Sequence, residues 1–179
     1  MAENDFEEVR LVLFAYLDAN FVERNLEATL AFLTPNISGF GTGADEIAIN
    51  KEDFEKLFIR DFAEAPNPID YQVTDLDIHV HAETALTASQ INIRTIILNQ
   101  ELKLNNIRLS IFFVRQDGIW WMEHLHISFP TQVHAGDEVV AFDVGVYPDG
   151  SKGRDNFSFA EVCRKLTEVR SPVRGVFLR

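Results

Sequence analysis

The hydrophobic period of this chain changes once, at Pro66 and Pro68, and that change dictates a fold in two parts. Ahead of the prolines, apolar residues recur at helical spacing; beyond them, they alternate. Phe6, Val9, Val12, Leu13, Tyr16, Leu17 and Phe21 form one stripe behind an Asn4/Asp5 start with acids in the first turn, which predicts a helix over about residues 4–20. A shorter helix is expected from Leu26 to Leu33, because the residue before Pro35 is pushed out of the helical region. The segment ISGFGTGADE, residues 37–46, reads as a short strand and a turn. A third helix is expected from Lys51 to Glu64, with Phe54, Leu57, Phe58, Ile59 and Phe62 on its apolar face and the two prolines as its stop.

After Pro68 four long strands are expected, over 69–81, 84–98, 102–114 and 119–129. Short turns such as Gln116-Asp117-Gly118 separate them and favour hairpins, so the strands should form an antiparallel meander. Three helices followed by a large sheet is an α+β layout, with helices on one face.

Strand parity bears on assembly. Alternation puts Trp120, Met122, His124, His126 and Ser128 on one face of the last strand, and Trp121, Glu123, Leu125, Ile127 and Phe129 on the other. Both faces are largely apolar. Helices can cover only one of them, so a homodimer through the sheet is expected, with Leu125, Ile127 and Phe129 on the outer, subunit-facing side.

Beyond Phe129-Pro130 the pattern fades, which suggests a domain over 1–130 and a separate region over 131–179. That region holds a short strand candidate at Val139 to Val146 and a helix candidate from Ser158 to Val169. Residues 152–179 carry seven Lys/Arg and three Asp/Glu, whereas the whole chain has a net charge of −12. That acidity argues against nucleic acid or an anionic membrane as partner. The single cysteine, Cys163, leaves no intramolecular disulfide, and the acidic start does not resemble a signal peptide, so the expected setting is cytoplasmic.

The stretch IWWMEHLHISFP, residues 119–130, resembles the last-strand pattern Trp-x-x-x-His-x-His-x-Ser of SnoaL-like domains in the nuclear transport factor 2 superfamily. The association domain of calmodulin-dependent kinase II is similar there. The resemblance implies a cone-shaped half-barrel, a curved antiparallel sheet wrapped around the helices, with an apolar pocket at its wide end and dimerisation through the sheet. It leaves the activity open, because the family includes isomerases, dehydratases, polyketide cyclases, transport factors and sensory modules.

On this reading Trp120, His124 and His126 look into the cone, with Arg108 as an anion-recognising group and Tyr16 as the best phenol candidate. The plainer alternative makes the histidines satisfied groups at the core edge. Enzymes of the family set a carboxylate in the cavity as general base, and Asp61, Asp45 or Glu46 are the acids placed to enter it. The leading expectation is a small-molecule-binding domain of sensory or regulatory type. A small lyase or isomerase and an oligomerisation scaffold are the alternatives. No cofactor or metal is expected: Asp75, Asp77, His79 and His81 read as a solvated strand face, and GFGTGADE lacks the spacing of a phosphate loop. Gly39, Gly41 and Gly43 are expected to let strand and helix approach closely.

Overall fold

The computed structural model describes residues 2–97 and 100–130, so the expectations for 131–179 lie outside the described residues. Helix α1 runs Ala2–Leu17 and continues into one π-helical turn, Asp18–Val22, closed by Glu23 N–H donating to Asp18 O at 2.9 Å. Asn25 caps α2, Leu26–Leu30, by accepting from Ala28 N, and Asn50 caps α3, Lys51–Glu64, by accepting from Asp53 N. Helix α2 ends short of the expected Leu33. The chain is taken into strand β1, Leu33–Phe40, when Phe32 O accepts from Met122 N at 2.9 Å. Pro35 sits exposed inside that strand, in a gap between paired residues where no ladder donor is needed.

Strand β2 is Ile47–Ala48, and the four strands after the prolines are β3 Asp70–His81, β4 Thr84–Ile97, β5 Gln100–Gln116 and β6 Ile119–Ser128. Their order in the sheet is β2-β1-β6-β5-β4-β3. Strands β3 to β6 form the expected antiparallel meander, but β1 joins β6 in parallel, so the sheet is mixed rather than antiparallel throughout. No hairpin links β1 to β6, and nothing therefore forces opposite directions.

Three bulges curve this sheet into an unclosed cone. Thr74 is extra on β3, Asn106 takes φ 58° where β5 has one residue more than β4, and Glu123 is extra on β6. Each bulge sits where apolar residues step by three instead of two: Val73 to Leu76, Leu104 to Ile107, Met122 to Leu125. The extra residue restores parity, so both halves of each strand keep their apolar side chains on the same face, and the strand bends there. Against that concave face pack Val9, Leu13 and Leu17 of α1, fully buried with Ile91, Ile111, Phe113 and Met122. Each such side chain contributes about 1.5–3 kcal/mol.

The bulge at Glu123 overturns one expectation. Trp120 and Met122 share the inner face with Leu125 and Ile127, whereas His124 and His126 lie on the outer face. Trp120 is buried near the start of α1, its indole Nε1 donating to Glu8 Oε2 at 3.3 Å with the Arg115 guanidinium 4.4 Å above its ring. Arg115 also pairs with Asp5, fastening α1 to the sheet.

Candidate functional site

The end of α1 sets out a row at four-residue spacing, Tyr16, Asn20 and Arg24, which repeats on one side of a helix. The π turn widens the helix across Asn20, an irregularity common at functional sites. Arg24 closes the row in a left-handed conformation with φ 49°. Across from this row, α3 presents Phe54, Leu57, Phe58 and Asp61, and the sheet presents Ile93, Ile107, Leu109, Leu125 and Ile127. Between them lies a cavity of about 90 Å³, closed on one side by the loop from Gly41 to Glu46.

The walls are aliphatic and aromatic, and the polar groups are few. Asp61 is held by Arg24, whose Nη2 donates to both Asp61 O and Asp61 Oδ2 at 3.0 Å, while Nη1 donates to Asn20 O at 3.1 Å. The Arg24 side chain is only 5% exposed and lies 4.1 Å from the Phe62 ring centre. Burial raises the Asp61 carboxyl above the usual carboxylate range despite the opposing pull of Arg24, and Glu46 and Glu64 raise it further. Burial likewise raises the Tyr16 phenol, with a smaller push from the Asp61 charge. Asp61 Oδ1 and Asn20 Nδ2 are buried with no hydrogen-bond partner among the described residues.

Glu46 organises the loop at the cavity edge. Its Oε2 accepts from Gly43 N at 2.8 Å and from Thr42 Oγ1 at 3.3 Å, and its Oε1 accepts from Arg60 Nη2 at 3.1 Å. Arg60 also donates to Asp45 Oδ2 at 2.6 Å, tying the loop to α3. Of the three glycines, Gly39 serves the expected close approach of strand and helix, whereas Gly41 makes room for a side chain of its own loop. A side chain on Gly41 would strike the Glu46 carboxylate, and one on Gly39 would strike the Leu125 carbonyl and come within 2.8 Å of Phe54 Cζ.

Of the residues singled out in the sequence, Tyr16 and the acids Asp61 and Glu46 line the cavity. Trp120, His124, His126 and Arg108 do not come together in it. His124 Nδ1 lies 2.9 Å from Ser38 Oγ, and the Phe40 ring meets His124 and His126 edge-on at 6.2 and 6.0 Å. Arg108 is exposed on the same outer face, opposite Ser128 and Gln90. Arg94 pairs with Asp70 at 2.7 Å, and the acidic stretch of β3 is exposed, with His79 on Asp77 at 2.8 Å. Leu125 and Ile127, expected on the subunit-facing side, are cavity walls instead. Sequence reasoning missed Asn20 and Arg24, although their spacing from Tyr16 was the available signal.

A family model for the SnoaL-like domain matches residues 9–132. No curated protein matches the chain. Among solved structures, an NTF2-like protein of unknown function from Pseudomonas putida superposes with a TM-score of 0.65 at 18% identity, over 75% of this chain and 92% of that one. A ketosteroid isomerase-like protein from Erwinia carotovora gives 0.60 at 14% identity, over 69% and 95%. A protein from Catenulispora acidiphila, solved in complex with S-DNPA, gives 0.62 at 16% identity, over 70% and 93%. These likenesses agree on the fold that the bulged sheet and its helices build. With the family model spanning most of its length, the chain belongs to the SnoaL-like domain family.

Proposed function

We propose that the cavity binds a small, largely apolar molecule, in a sensory or regulatory role, and that the outer face of the sheet pairs two copies of the chain. The observation that carries the first part is the contrast between apolar walls and two buried polar atoms of the lining, Asp61 Oδ1 and Asn20 Nδ2, that find no partner among the described residues. A buried group left unmatched costs stability, and a ligand that matches it recovers that cost. A thermal-shift screen of neutral one-ring compounds should give hits that raise the melting temperature of the wild type and lose their effect in Ile127→Phe, which fills the cavity. Hits that stabilise the filled variant equally would move binding elsewhere and sink this reading.

A second reading is favoured by one specific observation, the raised Asp61 carboxyl beside a phenol. In this reading Asp61 takes a proton from a carbon next to a carbonyl, while Tyr16 and Asn20 donate to the carbonyl oxygen as charge develops. The solved relative called ketosteroid isomerase-like makes this worth testing. Loss of Asp61 would then lower turnover by about 10²–10⁴-fold.

Support for pairing comes from the outer face, where Phe40 is 48% and Phe112 37% exposed beside His124, His126 and Arg108. Light scattering should show twice the monomer mass across a hundredfold dilution, and Phe40→Lys with Phe112→Lys should halve it. A monodisperse wild-type monomer at micromolar concentration would end this part of the proposal. Among the described residues no helix is long and apolar enough to cross a membrane. The net charge of −12 weighs against a polyanionic partner, and one cysteine in 179 residues supports a cytoplasmic setting.

A further inference from the structure

Charge in and around the cavity is already matched within the protein. Asp61 is paired with Arg24, and Glu46 with Arg60, so none of the lining residues offers a free cation for an anionic ligand. Among the described residues that line the cavity, the buried atoms left unmatched are one acceptor, Asp61 Oδ1, and one donor, Asn20 Nδ2; Arg24 Nε and Asp45 Oδ1 are also unmatched but belong to residues outside the lining. Asn20 and Asp61 are bridged by a single guanidinium, since Arg24 reaches Asn20 O with one terminal nitrogen and the Asp61 carboxylate with the other. Asn20 is only 5% exposed, so water outside the fold does not serve it freely.

An acceptor on Asp61 and a donor on Asn20, both lining one small cavity, call for a ligand group that both gives and takes a hydrogen bond. Resting on the reading of the cavity as a binding site, we propose that its ligand is a neutral alcohol or phenol on a body of about one ring, the hydroxyl donating to Asp61 Oδ1 and accepting from Asn20 Nδ2. A hydroxyl supplies one donor and two lone pairs in a single atom. A ketone only accepts, and would leave Asp61 Oδ1 unmatched. A carboxylate would enter beside Asp61 and Glu46 with no cation to receive it. An ammonium carries three donors, faces one free acceptor, and approaches Arg24, which already neutralises that carboxylate. The cavity of about 90 Å³ sets the size, being smaller than the engineered cavity of roughly 150 Å³ that accepts benzene, so some yielding of the walls accompanies entry.

Four compounds on one ring separate these cases: cyclohexanol, cyclohexanone, cyclohexylamine and cyclohexanecarboxylate. Their dissociation constants at neutral pH are read by ligand-observed NMR on the full chain, for wild type and Asn20→Leu. Cyclohexanol should bind at least tenfold tighter than the other three, and Asn20→Leu should weaken it by about tenfold while leaving the melting temperature unchanged or higher, because the lost amide donor had no partner. A ketone, amine or acid that binds as tightly as the alcohol overturns the hydroxyl assignment while the cavity reading stands. So does full cyclohexanol affinity in a folded Asn20→Leu. Failure of all four to bind at millimolar concentration overturns the cavity reading and this inference together.

Discussion

Asp61→Ala should lower the unfolding free energy by about 3–5 kcal/mol, the range found when one partner of a buried ion pair is removed. The cause is less the lost contact than what stays behind. Arg24, with its side chain 5% exposed, would keep a buried Nη2 donor that has lost its Asp61 Oδ2 acceptor, which a protonated Asp61 still supplies. Asp61 is the more accessible member at 22%, which favours the lower end of the range. The double replacement Arg24→Met with Asp61→Leu should cost less than either single change, since it removes both charges at once. Urea unfolding of the wild type, Asp61→Ala, the two single replacements and the double measures this, and a cost below about 1 kcal/mol for Asp61→Ala would mean the pair is not held as described. The pH dependence has an unusual sign. Burial raises the folded-state value for Asp61, so its protonation favours the folded chain. That contribution is complete below the unfolded value near 3.8 and is lost as pH rises through the folded one. Relative to Asp61→Asn, the wild type should therefore gain melting temperature on acidification, whereas an ordinary ion-paired aspartate would lose it.

Deleting Glu123 should leave the chain unfolded. The residue is the bulge of β6, and removing it forces a choice between two misfits. If Trp120 and Met122 stay inside, then Leu125 and Ile127 turn outward and both imidazoles turn into the cavity. If Leu125 and Ile127 stay inside, Trp120 and Met122 are expelled. Either way two or more large apolar side chains leave the core at about 1.5–3 kcal/mol each, and polar rings take their places at further cost. The total approaches the whole stability of a typical domain, about 5–15 kcal/mol. Glu123→Gly is the control: it keeps the extra residue and loses chiefly the hydrogen bond from Thr34 Oγ1 to Glu123 Oε2 at 2.5 Å, so a loss of about 1 kcal/mol is expected. Circular dichroism of the two variants decides, and a folded deletion variant with native melting behaviour would refute the account of the bulge.

The same residue explains where the sequence was legible and where it misled. Element types and the helix-to-strand change were readable because each rests on a local period, and α3 has the expected bounds. The faces of β6 were misassigned because alternation was carried unbroken through Glu123. The three-residue step from Met122 to Leu125, repeated in β3 and β5, marks a bulge once the apolar sets are compared rather than one strand counted. The site was half legible for a related reason. Tyr16, Glu46 and Asp61 announce themselves by residue type, whereas Arg24 matters through a partner 37 residues away along the chain and Asn20 through Arg24. Parallel pairing of β1 with β6 had no local sign at all, because no turn connects them.

That parallel pairing also sets the order in which the molecule can assemble. Ser38 and His124 meet across 86 residues, whereas β3 to β6 are joined in sequence by short connections. Closing a long loop costs entropy before its contacts return anything, so the meander should form first and β1 should dock late. The helices and the Gly41–Glu46 loop belong to the early part of the chain, and they leave the ribosome before the surface that receives them exists. Most of the cavity wall is carried by those early segments, so the capacity to hold a ligand should emerge only in the slowest folding phase. Pulse-labelled hydrogen exchange would time it: the amides of Ile37 to Phe40 should gain protection after those of Leu109 to Phe113, and protection in the reverse order would contradict this sequence of events. A ligand that fits the cavity would then act as a late clamp, slowing unfolding rather than hastening folding.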